Sequence, residues 1–131
     1  MIEEERSLIS FPRQSNILMH DDCRTELIKL IQENERPDFI ASYKTRIDFL
    51  SKNIGNETVL HRKWFEVLKK AKGLRSIRFM KFRNLRILYT VEQDKAFLLL
   101  AFEEAQGHEN TEYKHFIGPA LKRYSEKEKL L

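Results

Sequence analysis

The residues best suited to chemistry are arginines near the middle of the chain. Residues 61–86 contain 10 of the 24 basic residues and only one of the 20 acidic residues, and such a segment attracts polyanions. Arg78 and Arg86 fall on two predicted neighbouring strands, and a guanidinium group contacts two phosphate oxygens without losing its charge. We therefore predict a phosphate-binding sheet surface. The alternative is that these arginines are solvated or pair with the acidic N-terminal half.

Cleavage of RNA without a metal would also require groups that move protons. A base takes the proton of the attacking 2′-hydroxyl, an acid protonates the leaving 5′-oxygen, and cations balance the charge on phosphorus. His108 follows the last predicted strand, and Tyr113 and His115 come soon after it. Histidine serves in either role near neutral pH, although a lone loop histidine is more often a bystander. The predicted catalytic set is Arg78, Arg86, His108, Tyr113 and His115.

Other basic residues flank the two arginines. Arg75, Lys81 and Arg83 are candidates for binding further phosphates or ribosomal RNA, and solvated turn charges are an equally good interpretation. No metal site is predicted, because the histidines and the single cysteine lack ligand spacing. No cofactor is predicted either, since the four glycines form no phosphate-binding loop.

Helices are predicted in the first half of the chain. Residues from Asp22 onward have an apolar side, Pro37 begins a second helix, and Gly55 ends it. These two segments predict an antiparallel hairpin. Asn56 then favours a third, shorter helix up to Gly73, with Leu60, Trp64 and Leu68 on its buried side.

Three antiparallel strands and a final helix are predicted after Gly73. The strands are Leu74–Phe79, Leu85–Glu92 and Ala96–Phe102, and the last helix runs from residue 110 or 111 to about 127, with a kink or break at Gly118-Pro119. The sequence thus predicts an α+β domain in which a helical hairpin, a short helix and a C-terminal helix pack on a small antiparallel sheet.

Length and composition narrow the class of protein. The 131 residues fit one domain, residues 1–131, of which 1–20 form an N-terminal extension or an edge strand, with Ser7–Phe11 as the candidate strand. The acidic start is unlike a signal peptide, and the longest apolar run, Ala96–Phe102, is too short to span a membrane. We expect a cytoplasmic protein that does not associate with membranes.

The stretch LRSIRFMKFRNLRILYTVEQDKAFLLLAFEE, followed by a helix ending in ALKRY, resembles the RelE/ParE superfamily of type II toxins, particularly its HigB-like branch. The positions that carry the resemblance are Leu74, Arg78, Phe79, Arg86, Ile87, Leu88, Tyr89, Phe102, Ala120 and Arg123. The resemblance implies a RelE-like fold and a toxin that cleaves mRNA, on the ribosome or free of it, and it adds Arg123 to the residues expected to bind RNA.

The resemblance also implies a partner. A cognate antitoxin, expected to be a small helix-turn-helix protein from the adjacent gene, would silence the toxin, and operator DNA would be contacted only through that antitoxin. Two alternatives stay open, because Glu103 and Glu104 stand where many members of the superfamily have basic residues. One is a non-catalytic toxin of the same fold that acts on DNA gyrase. The other is a non-toxic module that binds nucleic acid.

Overall fold

The computed structural model describes residues 3–10, 12–34, 37–69, 71, 73–82, 84–103 and 109–126. Within these ranges there are five helices and five strands. The helices are α1 (Glu3–Ser10), α2 (Asp21–Asn34), α3 (Pro37–Lys52), α4 (Glu57–Leu60) and α5 (Glu109–Ser125). The strands are β1 (Ile17–Met19), β2 (Phe65–Val67), β3 (Arg75–Phe79), β4 (Leu85–Glu92) and β5 (Lys95–Glu103).

The strands form one sheet in the order β1-β5-β4-β3-β2. Strands β2 to β5 pair antiparallel, whereas β1 pairs parallel with β5. The prediction of an α+β chain in which two consecutive helices precede three antiparallel strands is confirmed. The sheet is larger than predicted, because β2 and β1 join the two edges of the three predicted strands. Strand β1 is parallel to β5, so the sheet is mixed.

Two cores lie on the two faces of the sheet. The hairpin of α2 and α3 packs on one face, where Leu85, Ile87 and Tyr89 of β4 point. Helix α5 covers part of the other face, where Phe116 stacks on Phe102 at a ring distance of 4.1 Å. Strand β5 is apolar on both sides because helices cover both faces of the sheet there.

The helix predicted from Asn56 to Gly73 is wrong. Helix α4 covers only Glu57–Leu60, and β2 follows at Phe65–Val67. The four-residue spacing of Leu60, Trp64 and Leu68 fits a helix, but the free edge of β3 pairs with residues 65–67 instead. Pairing buries Phe65 opposite Ile77 on the face of the hairpin.

Two further predictions need correction. Residues 7–10 belong to α1 rather than to a strand, with Ile9 buried, and the edge strand of this region is β1 at Ile17–Met19. Phe11 lies outside the described residues. Helix α5 continues through Gly118-Pro119, so the predicted break into two pieces is wrong, whereas the alternative of a kink stays a prediction; both residues are exposed to solvent. No helix in the described ranges has both the length and the apolar character needed to cross a membrane.

Candidate functional site

Arg78 and Arg86 lie directly opposite each other on β3 and β4. Their Cα atoms are partners in the antiparallel register, and paired residues project from the same face of a sheet. Alternation along β4 separates Arg86 from Leu85 and Ile87, which point into the hairpin core. Both arginines therefore occupy the face opposite the hairpin, as predicted.

The two guanidinium groups converge on Glu66 of β2. Nη1 of Arg78 lies 3.7 Å from one carboxylate oxygen of Glu66, and Nη1 of Arg86 lies 4.0 Å from the other. The exposed fraction of the side chain is 23% for Arg78, 7% for Arg86 and 34% for Glu66. We call these three residues the Arg–Glu–Arg cluster. It has a formal charge of +1 and an acidic group beside the opening to solvent.

Sequence reasoning missed Glu66, although a signal was present. Glu66 is the single acidic residue of the basic segment 61–86. Its assignment to a predicted helix hid its relation to the arginines, since on β2 it opposes Ser76, which shares the face of Arg78. A lone carboxylate among ten cations is a residue to test for a role in proton transfer.

The backbone of Arg78 is held in place on both sides. Its N–H donates to the carbonyl of Trp64 at 2.7 Å, and its carbonyl accepts from Nε of Arg46 at 3.0 Å. The guanidinium of Arg46 lies 4.7 Å from the ring centroids of both Trp64 and Phe79. Burial lowers the pKa of Arg46 to about 10. These contacts leave Arg78 little freedom except in its own side chain.

Arg75 does not join the cluster. It lies on the hairpin face, where its Nη1 atom donates to Oε2 of the fully buried Glu57 at 2.6 Å. The hydroxyl of Tyr89 donates to the same oxygen at 2.6 Å. Arg75 is therefore engaged by Glu57 on the face of the sheet opposite Arg78 and Arg86, and its expected role in RNA binding stays a prediction. Tyr89 belongs to the core, as predicted.

The remaining predicted RNA-binding residues are Lys81, Arg83 and Arg123. Lys81 is exposed in the turn between β3 and β4, and Arg83 lies outside the described residues. Arg123 forms a two-pronged ion pair with Glu26 at 2.7 and 2.8 Å, and hydrogen bonding to Glu26 raises the pKa of Arg123. Arg123 thus joins α5 to α2, and its expected role in RNA binding stays a prediction.

The predicted proton-transfer residues belong to the region where α5 begins. His108 lies outside the described residues, and Tyr113 is part of α5 although its side chain is not among those described. His115 is exposed on α5. In the described part of the chain, no group of three or more histidine, cysteine or acidic residues is arranged to hold a metal ion.

Glu103 does not face the arginines. It is the register partner of Leu85, whereas Phe102 is the partner of Arg86. Since Leu85 points into the hairpin core, Glu103 projects to that side and its charge is on the far side of the sheet from Arg86. Glu104 lies outside the described residues.

Comparison with models of protein families, with curated proteins and with solved structures finds no match to this chain.

Proposed function

We propose that this protein is the toxin of a type II toxin–antitoxin system, a metal-independent mRNA endonuclease of the RelE/ParE kind. The observation that carries the proposal is the convergence of Arg78 and Arg86, from neighbouring strands, on the carboxylate of Glu66. The order of elements also supports it. A helical hairpin, two arginine-bearing strands, an apolar strand and a closing helix follow one another as the resemblance leads us to expect.

The chemistry assigned to the cluster uses protein side chains alone. The carboxylate of Glu66 accepts the proton of the 2′-hydroxyl, whose oxygen attacks phosphorus, while Arg78 and Arg86 stabilise the charge that builds on the phosphoryl oxygens. The bond from phosphorus to the 5′-oxygen breaks, which leaves a 2′,3′-cyclic phosphate and a 5′-hydroxyl. The proton for the leaving oxygen is assigned to the start of α5, where His108, Tyr113 and His115 are the candidates.

Substitution in the cluster tests the proposal. Arg86→Ala should lower the rate of RNA cleavage about 100-fold or more, because a cation that stabilises the transition state is removed. Glu66→Gln should lower the rate by about 10²- to 10⁴-fold, the contribution of a general base, without weakening RNA binding. Cleavage is measured on a labelled single-stranded RNA, and toxicity by growth and by mapping transcript 5′ ends after induction.

Three controls make the result specific. Arg13→Ala removes the same charge at an exposed position, and we expect wild-type cleavage from it. A thermal melt of Arg86→Ala excludes unfolding as the cause of lost activity. Arg86→Lys keeps the positive charge but lacks the planar guanidinium, and so shows how much of the effect depends on charge alone. Undiminished toxicity in Arg86→Ala would contradict the proposal.

A second candidate function is a non-catalytic one. Arg86 has only 7% of its side chain exposed and already faces a carboxylate at 4.0 Å, an arrangement that also suits a purely structural ion pair. The protein would then bind nucleic acid through exposed cations such as Arg62, Lys63 and Lys69. Intact transcripts with DNA damage would indicate action on gyrase. Binding without cleavage or toxicity would indicate a nucleic-acid-binding module, with a log–log salt slope near −4 if about six phosphates of single-stranded RNA are contacted.

The toxin proposal includes a partner and a compartment. A cognate antitoxin, a small helix-turn-helix protein from the adjacent gene, would neutralise the toxin and would itself contact operator DNA. The proposed site of action is the cytoplasm, where mRNA and ribosomes are found. Co-expression with the product of the adjacent gene should restore growth and yield a complex that co-purifies, and continued toxicity with no complex would reject this partner.

A further inference from the structure

An ordered stack of rings and a guanidinium group lies at the edge of the sheet. The rings of His61 and Trp64 are 3.7 Å apart and nearly parallel, at 11°. Arg46 lies 4.7 Å from the Trp64 centroid, and it occupies the other indole face because His61 covers the first. Arg46 also lies over Phe79, which is fully buried. The stack therefore runs from Phe79 through Arg46 and Trp64 to His61, which is its outer end.

The outer end of this stack is pre-formed and half-buried. Phe49 meets the His61 ring edge-on at 5.6 Å and the Trp64 ring edge-on at 5.8 Å. His61 and Trp64 are both of intermediate exposure. His61, held by these two aromatic neighbours, loses little conformational freedom when a flat ligand stacks on it.

The stack adjoins the Arg–Glu–Arg cluster. Nη1 of Arg78 lies 3.5 Å from the carbonyl oxygen of Arg62, and the N–H of Arg78 donates to the carbonyl of Trp64. Arg62 and Lys63, between the two stacked rings in the sequence, are exposed cations. Trp64 packs against the hairpin core, whereas Arg78 and Arg86 lie on the opposite face of the sheet. A single-stranded polyanion with one phosphate at the cluster would therefore pass these two cations and cross the β2 edge of the sheet to reach the aromatic ring.

We propose that His61 is a stacking platform for a nucleobase of single-stranded RNA, next to the phosphate that the cluster binds. The proposal rests on the proposed function for the identity of the polymer, and it adds a site for a base to a site for a phosphate. Stacking on an aromatic ring tolerates any base, because every base has a π face. The platform would thus add affinity and set the position of the strand without reading its sequence.

Binding can be observed directly, because Trp64 is the only tryptophan of the chain. The probe is a 2′-O-methyl oligonucleotide, which lacks the attacking hydroxyl and is not cleaved. Saturation with it should change the fluorescence of Trp64. His61→Ala should weaken binding about tenfold, the effect of losing one base–ring stack, whereas His61→Phe should stay close to the wild type.

An abasic oligonucleotide of the same length separates stacking from charge. His61→Ala should not weaken the binding of this probe, which has phosphates but no bases. Val59→Ala, which removes an exposed apolar side chain on α4, is the matched control and should bind both probes as the wild type does. Thermal melts of both His61 variants check that they are folded.

The outcomes distinguish the two proposals. Equal weakening of both probes by His61→Ala, or unchanged Trp64 fluorescence at saturation, would overturn the platform even if ordinary RNA is cleaved. Base-dependent binding without any cleavage of ordinary RNA would support the platform and reject the nuclease. Absence of RNA binding would reject both.

Discussion

Glu57 is a fully buried carboxylate at the start of α4, and each of its oxygens accepts a hydrogen bond. Arg75 and the hydroxyl of Tyr89 donate to Oε2, and the N–H of Gly55 donates to Oε1 at 2.8 Å. Burial raises the pKa of Tyr89, and the negative charge of Glu57 raises it further. A buried charge persists only with such partners. The residue therefore joins the turn after α3 to β3 and β4, and so holds the strands that carry the cluster.

Glu57→Ala should be strongly destabilising. The substitution leaves the partly exposed Arg75 and the buried Tyr89 without their acceptor, a change that costs about 3–5 kcal/mol in the free energy of unfolding. Urea denaturation measures the loss. The control is Asp48→Ala, which removes an exposed ion pair with Lys52 on one helix and should cost at most about 0.5 kcal/mol. Similar losses for the two variants would contradict this account of Glu57.

At the scale of elements, an ion pair completes the edge of the sheet where β1 ends. Strand β1 pairs with β5 only at residues 96–98. Beyond that point Glu26 accepts the N–H of Ala101 at 3.1 Å, and Arg123 donates to the carbonyl of Leu99 at 3.0 Å. The paired side chains thus satisfy backbone groups that a longer β1 would have bonded, and they fix α5 to the sheet.

Arg123→Ala should loosen this edge. Loss of charge-assisted hydrogen bonds to Glu26 and to the backbone should cost about 1.5–3 kcal/mol of stability. The neighbouring Lys122→Ala, at an exposed position, should be nearly neutral. Both variants should bind RNA as the wild type does when folded, because Glu26 already engages Arg123. If folded Arg123→Ala binds RNA more weakly while Lys122→Ala does not, Arg123 takes part in RNA recognition.

Helix α5 should tolerate a better helix former at its glycine. Gly118 is exposed, and a Cβ atom added there meets no other atom within 4 Å. Gly118→Ala should therefore stabilise the protein by about 0.5–1 kcal/mol, because alanine loses less backbone entropy on folding. A thermal melt provides the measurement. Lower stability would show that α5 bends at Gly118-Pro119 in solution.

For the molecule as a whole, two buried tyrosines and the buried Cys23 set the response to alkaline pH. Tyrosine ionises near pH 10 in an unfolded chain, and burial raises the pKa of Tyr43 and of Tyr89 in the fold. Their contribution to stability is complete below about pH 10 and is lost as pH rises above it. Arg46 has the opposite effect on stability. Burial lowers its pKa to about 10, so its charged form destabilises the fold and this penalty is relieved as pH rises above about 10. Burial also raises the pKa of the Cys23 thiol, so three groups with raised pKa values against one arginine predict a net loss.

Tyr43→Phe should make this alkaline loss shallower. Urea denaturation between about pH 8 and pH 11 measures the slope, which reports the difference in bound protons between the folded and unfolded states. The variant removes one raised group together with its hydrogen bond of 3.3 Å to the carbonyl of Ile9. The wild type provides the reference slope, and an identical slope in the variant would show that Tyr43 is not protected from ionisation.

Local patterns were enough to predict much of the fold. Helices α2 and α3 each have an apolar side, a proline begins α3 and a glycine follows its end. Strands β3, β4 and β5 are short apolar runs between turns. These signals depend on neighbours in the sequence. Alternation along β4 likewise predicted correctly that Arg86 and Leu85 occupy opposite faces.

Pairing between distant segments decided the rest. Residues 65–67 have the spacing of a helix but form β2, because the edge of β3 binds them, and that pairing brings Glu66 to Arg78 and Arg86. Arg75 and Arg123 are as basic in the sequence as Arg78, yet Glu57 and Glu26 bind them elsewhere. A side chain's type and its face follow from the local sequence, whereas its partner depends on strand register and on contacts between residues far apart in the chain.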